Sequence, residues 1–255
     1  MNPITFKTAI CNVALLGGLV LAGGCSSDDD SAPPATGTGG TGTTTTQQAS
    51  VRVMHLSPDA PGVDVFVNAG KDAVVKNLTF PNGTPYLDVP AGTYTFDVAA
   101  TGSSAATAVL SIKDLGLAAG TSYTAVALNK LGAITALALV DDYSNLADGK
   151  IRIRAIHAAA AVGQVDIWNV TDPSAPSALY ENVDFGVAGS ALDVPAGAYK
   201  LGIDVNDDKK PELTFSLPSL PAGTNANVFA TNDAAGGVFL IAELRDGSTV
   251  RIDPQ

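Results

Sequence analysis

From Val51 onward the chain is written in short apolar runs rich in Val, Ile, Thr, Tyr and Phe. They alternate in places with polar residues and are cut every 8–12 residues by Pro, Gly, Asn or Asp. That period predicts strands, and no segment sustains the 3.6-residue period of an amphipathic helix. The runs place strands at 51–56, 63–68, 73–80, 85–89, 93–100, 107–113, 121–129 and 133–141. A second set follows at 150–157, 164–169, 178–185, 190–194, 198–205, 212–217, 225–232 and 237–245. A last run, Thr249 to Ile252, predicts an edge strand. In Tyr94, Phe96 and Val98 the apolar side chains share one face of a strand, as do those of Tyr199, Leu201, Ile203 and Val205. Strands of this kind are half-buried and antiparallel, which predicts one solvated surface per sheet.

The two sets of strands repeat one another in detail. Arg52-Val-Met-His55, Asp64-Val-Phe66 and Leu87-Asp-Val-Pro-Ala-Gly-Thr-Tyr94 return as Arg154-Ala-Ile-His157, Asp166-Ile-Trp168 and Leu192-Asp-Val-Pro-Ala-Gly-Ala-Tyr199. Each copy spans roughly 100 residues, enough for a β-sandwich to bury its own core without cross-links. The expected fold is all-β: two tandem antiparallel sandwiches of immunoglobulin-like or transthyretin-like kind, over 50–146 and 147–255. Pro90-Ala-Gly92 and Pro195-Ala-Gly197 mark tight turns, where Pro fixes φ and Gly accepts unusual angles. The junction, Asp141 to Gly149, is polar but short, and packing of the copies on each other stays open.

Residues 1–24 hold one lysine, no acid and an apolar run from Thr8 to Leu21, too short for a permanent span but suited to a secretory signal. Leu21-Ala-Gly-Gly-Cys25 resembles a bacterial lipobox, with the leucine one position farther out than usual, so Cys25 is the expected site of lipidation. Cleavage nearby to give a soluble secreted protein is the alternative. Residues 25–49 form a Thr- and Gly-rich tether with almost nothing apolar to bury, reaching about 25–30 Å as a flexible coil. Ser26 after the cysteine favours the outer membrane, so the expected location is the cell envelope, lipid-anchored and facing outward or into the periplasm. Cys11 lies in the signal, which leaves the mature chain without a free thiol and excludes disulfides and cysteine chemistry.

The formal charge is −11, and loss of Lys7 with the signal takes it to −12. Such a field repels nucleic acid and anionic lipid, so neither surface is an expected partner.

Candidate chemistry is sparse. His55 and His157 stand nine residues before Asp64 and Asp166, a spacing that suggests structural His–Asp pairs or, with a nucleophile, an acid–base couple. By alternation both imidazoles point to the core. Asp64, Phe66, Asp166 and Trp168 share one strand face, where an aromatic ring beside a carboxylate suits a sugar, although a single ring per domain is also ordinary core. Asp204, Asn206 and Asp208 occupy alternate places of a calcium-loop pattern, but Lys209 stands where glycine is needed and Phe215 where the bidentate glutamate belongs, so an Asn/Asp turn competes. Ser57 to Gly62 reads as a Pro-braced turn or an exposed contact loop. No cofactor and no catalytic set are expected.

The string Val51 to Phe66, followed by Leu87 to Tyr94, resembles the bacterial family described as domain of unknown function 4397, more closely in the first copy than in the second. The resemblance implies an extracytoplasmic β-sandwich, often in tandem on lipoproteins, and carries no catalytic residues. The expected role is a non-enzymatic envelope binding or interaction module with a cell-wall, polysaccharide or protein partner. A structural spacer and an envelope hydrolase built on the His–Asp pairs are the alternatives.

Overall fold

The computed structural model describes residues 47–255, all within one compact unit, Thr44–Gln255. The signal segment, Cys25 and the tether up to residue 46 lie outside the described residues.

The first copy runs β1 (Gln48–Leu56), β2 (Val63–Val67), β3 (Val75–Leu78), β4 (Leu87–Pro90), β5 (Gly92–Ala100), β6 (Leu110–Leu117), β7 (Ser122–Leu128) and β8 (Thr135–Asp141). The second runs β9 (Lys150–His157), β10 (Val165–Asn169), β11 (Ser177–Val183), β12 (Leu192–Pro195), β13 (Gly197–Asp204), β14 (Leu213–Leu220), β15 (Asn225–Asn232), β16 (Val238–Leu244) and β17 (Thr249–Ile252). Short 3-10 turns at Ala105–Thr107 and Leu131–Ala133 are the helical elements among the described residues.

Each copy makes two sheets. In the first they are β4-β1-β7-β8 and β3-β2-β5-β6; in the second, β12-β9-β15-β16-β17 and β11-β10-β13-β14. Antiparallel pairing dominates, with one parallel pair in each copy, β1 with β7 and β9 with β15. The parallel pairs arise because each copy leaves its first strand for the facing sheet, comes back once for an edge strand, β4 or β12, completes the facing sheet, and then returns on the other side of the first strand in the same direction.

Four clusters of buried side chains order these sheets into four layers, the smallest of them, Ile151, Ile153, Leu220 and Ala226, lying within the second copy. Val51, Val53, Val65, Phe96, Val98 and Ile112 fill the first sandwich. Ile167, Leu201, Ile203, Phe215, Val228 and Leu240 fill the second. Between them lies a third cluster drawn from both copies, including Met54, Leu56, Val126, Leu128, Ile156, Phe229, Phe239 and Ile241. The two inner sheets therefore pack on each other and are buried on both faces. One solvated surface per sheet, the reading from alternation, does not hold for them. The sequence carries the reason in Ala125–Leu128 and Phe239–Ile241, where consecutive apolar residues replace alternation, as strands covered on both sides require. Gly83 shows how close the packing is: a Cβ there would collide with the Met54 sulfur.

Candidate functional site

Strand alternation sends Arg52, Met54 and Leu56 of β1 to the seam between the copies, together with Arg154 and Ile156 of β9, Asn227 and Phe229 of β15, and Ile241 and Glu243 of β16. One end of the seam is apolar and the other is charged. At the charged end Arg52 is 1% exposed, and its guanidinium reaches Glu243 Oε2 at 2.9 Å and Asp141 Oδ2 at 3.9 Å. Its Nε donates to Thr124 Oγ1 at 2.8 Å. The Thr124 hydroxyl in turn donates to Asp141 Oδ2 at 2.6 Å. Arg154 contacts Asp141 Oδ1 at 2.7 Å, and Asn227 Nδ2 donates to Asp141 at 3.1 Å and to Glu243 at 3.3 Å. The Tyr86 hydroxyl donates to Asp141 at 2.7 Å, and its ring lies 4.7 Å from the Arg52 guanidinium.

Two cations and two anions balance here, which is the condition for keeping charges out of water. Burial pushes the Glu243 carboxyl up to about 7, with Arg52 and Asn227 opposing and Asp141 reinforcing. Glu243 Oε1 has no hydrogen-bond partner. Burial also raises the Tyr86 hydroxyl well above its ordinary value. The cluster holds layers together, and the Thr124 and Tyr86 hydroxyls within it are both spent on Asp141. A small cavity of about 30 Å³, room for a single water, opens beside Arg52, Asp141, Arg154 and Asn227. Arg52 and Asp141 were not singled out by sequence, although an arginine in the middle of an apolar strand, Val51-Arg-Val-Met, was the available signal.

The histidines occupy equivalent places and are almost wholly buried. The expected pairing of His55 with Asp64 and of His157 with Asp166 does not form. His55 Nε2 lies 3.1 Å from the Pro61 carbonyl and Nδ1 accepts from the Ser57 N–H; His157 does the same with the Gly163 carbonyl at 2.7 Å and the Ala159 N–H. Both ring nitrogens are thus spent on the loop that follows the strand, with Nε2 carrying the proton. Burial lowers both pKa values, against the opposing carbonyl contacts. The aspartates are turned to the outer sheets instead. Asp64 accepts from the Asn77 and Gly102 N–H groups, which hold its carboxyl below the usual range. Asp166 accepts from Asn182 N–H at 2.6 Å.

Phe66, 2% exposed, and the half-buried Trp168 lie on the outer faces of their sandwiches, away from the two sandwich cores. Asp166 joins Asp204, Asn182 and Asn206 along a cleft of about 300 Å³, but Trp168 does not line it, so ring and carboxylate do not converge on one ligand position.

The Asp204 loop closes on itself. Burial works against ionisation of Asp204, yet the N–H groups of Asn206, Lys209 and Asp207 bind the carboxylate and keep its pKa low. Asn206 Oδ1 accepts from Asp208 N–H, and its amide donates to Glu212. Asp204, Asp208 and Glu212 bring carboxylate oxygens within 4.8 Å of one another, whereas Asn206 is already committed to the turn.

Among solved structures, the chain is similar to one described as alpha-glucan binding by a streptococcal virulence factor, at 14% identity and TM-score 0.22, covering 72% of this chain and 93% of that one. It is also similar to a multi-modular glycogen-degrading pneumococcal virulence factor, at 13% identity and TM-score 0.24, covering 77% of this chain and 23% of that one. The Bacillus anthracis TIE protein matches at 13% identity and TM-score 0.22 over 82% of this chain and 44% of that one. Likenesses this weak add nothing on function. No curated protein matches the sequence. Residues 49–168, the first copy and the opening strands of the second, match the family described as Domain of unknown function (DUF4397), which supports the family that the repeated strings point to.

Proposed function

We propose that the chain is a lipid-anchored cell-envelope module that binds a partner and catalyses nothing. The observation that carries this reading is the pair of histidine braces. The described chain begins at the foot of β1, and β1, β7, β9 and β15 all run from the charged end of the seam toward its apolar end. The loops 57–62, 129–134, 158–163 and 233–237 therefore gather at the far end. His55 and His157 pin two of them from below. Asp59 Oδ1 accepts the Leu131 N–H at 2.7 Å, tying the first loop to its neighbour, and Asn232 Oδ1 accepts the Ala161 N–H at 3.2 Å, tying the third to the end of β15. Loops fixed on a rigid stack are what a binding surface requires. An imidazole with both nitrogens committed to backbone is a poor general base, which speaks against the hydrolase alternative. A cell-wall, polysaccharide or protein partner fits this surface, and the lipid on Cys25 and the outer membrane belong to the same proposal.

The test is capture from envelope extract by residues 47–255, compared with a variant in which Pro58-Asp-Ala-Pro61 and Ala159–Val162 are replaced by Gly-Ser linkers. Loss of the captured partner is expected. Equal capture by both proteins overturns the loop surface, and replacement of both sandwiches by an inert domain without loss of phenotype establishes the spacer. Cys25→Ser is expected to move the full chain from the membrane to the soluble fraction, and unchanged fractionation removes the anchor.

A further inference from the structure

The inner sheets of the two copies differ by one strand. In the second copy β17 covers β16, from Leu240↔Ile252 to Glu243↔Thr249. In the first, β8 ends the sheet, and no strand among the described residues pairs with its outer side. After β16 the chain turns back at Asp246-Gly247 to supply β17; after β8 the equivalent stretch is used to cross to β9.

Matching registers make Ala136, Leu137, Ala138 and Leu139 the counterparts of Leu240, Ile241, Ala242 and Glu243. The second set is buried throughout, at 4% exposure or less. In the first, Leu139 is buried, but Ala136 and Leu137 are half-buried, Ala138 is exposed and Val140, on the same face as Ala138, is 56% exposed. The opening reaches the core. Ile252 of β17 is 7% exposed and completes the second sandwich, where Leu217 opposite Tyr199 is buried; Leu115 opposite Tyr94 is half-buried.

The backbone of β8 faces outward in the same phase. The Val140 carbonyl accepts from Arg154, as the Leu244 carbonyl accepts from Arg52, and the Leu244 N–H goes on to pair with Ser248. Since N–H and C=O directions alternate along a strand, those of Ala138 and Ala136 also point away from β7.

Other edges are defended. Pro90 guards β4, Pro195 β12, Pro218 β14, Lys76 β3, Glu181 β11, Lys113 and Asp114 β6, and Arg251 β17. β8 reads Thr-Ala-Leu-Ala-Leu-Val before Asp141, whose carboxylate is turned into the seam.

We propose that the free side of β8 receives an extended segment of a partner polypeptide, with branched apolar side chains at alternate positions and no net negative charge, laid down as β17 lies on β16. Backbone hydrogen bonds supply affinity and the Ile252-like position supplies selectivity. The formal charge of −11 disfavours an acidic segment and a second copy of the chain. This surface deepens the interaction-module reading, on which it rests, and it can fail alone.

The probe is a labelled peptide of residues Gly247–Gln255, titrated by anisotropy against the full chain. It is expected to bind, and Ala138→Pro, which removes an outward N–H and leaves the β7 ladder intact, is expected to weaken binding at least about tenfold. Ala138→Lys serves as the second variant should the proline disturb folding, with a melting curve confirming the fold. Absence of binding at millimolar peptide, or binding unchanged by either variant, overturns the proposal. So does a concentration-dependent dimer abolished by Ala138→Lys, which makes the occupant a second copy. An envelope partner captured equally by the wild type and Ala138→Lys leaves the module standing and removes the edge.

Discussion

The two copies share strands, turns and histidine braces, yet they bring different residues to the seam between them. Where the first has Leu139 and Asp141, the second has Glu243 and Arg245. Arg52 and Arg154 are equivalent, but Arg52 is almost fully enclosed by Glu243, Thr124 and Tyr86, whereas the Arg154 side chain keeps 15% of its surface. Repetition fixes the frame, and divergence at a few facing positions fixes how the halves meet.

Breaking that comparison begins with the arginines. At pH 8 Arg52→Ala leaves Glu243 either charged without its cation or forced to take up a proton, and is expected to cost about 3–5 kcal/mol, against about 1–2 kcal/mol for Arg154→Ala, whose partner Asp141 keeps other donors. Urea midpoints decide it, and equal losses would falsify the unequal enclosure of the two cations.

The histidines should behave alike. His55→Gln and His157→Gln are each expected to lose about 1–3 kcal/mol, since each leaves buried backbone groups unpaired. Their lowered pKa values also set a pH trend. Unfolded chains bind protons near 6.5 while the folded imidazoles resist, so this part of stability is present above pH 6.5 and is lost as pH falls toward the folded value. The double variant should flatten that decline in equilibrium unfolding followed from pH 8 to pH 5; a decline of undiminished slope removes the brace.

Glu243 has the smallest expected effect and the opposite sign. Its carboxyl is raised from 4.5 to about 7, so its contribution is full below pH 4.5 and is lost as pH rises to 7. Glu243→Gln should be as stable as the wild type at pH 8 or slightly more so, and should show a steeper acid decline because the histidine trend is no longer opposed. A marked loss of stability at pH 8 makes the Arg52–Glu243 contact favourable on balance and overturns this sign.

The sequence made the strands legible because period and punctuation are local, and even the terminal Thr249–Ile252 strand could be placed. Burial of His55 and His157 was legible too, from their neighbours along the strand. Their partners were not, because nine residues of spacing to Asp64 and Asp166 says nothing about which face a loop presents; the carbonyls of Pro61 and Gly163 lay nearer. The seam was hidden for a different reason. Arg52 and Glu243 are 191 positions apart, and each alone looks like a solvated charge on a strand. Only the consecutive apolar residues around Val126, Phe229 and Ile241 signalled a second buried face.

The charged end of the seam is lopsided: one side offers Asp141 where the other has Arg245, and Leu139 where the other has Glu243. Two identical polypeptides meeting about a twofold axis must present the same residue at both related positions, so no homodimer of a single half could assemble this contact. Joining the halves in one chain frees each to carry what the other lacks, and it fixes their ratio at one to one.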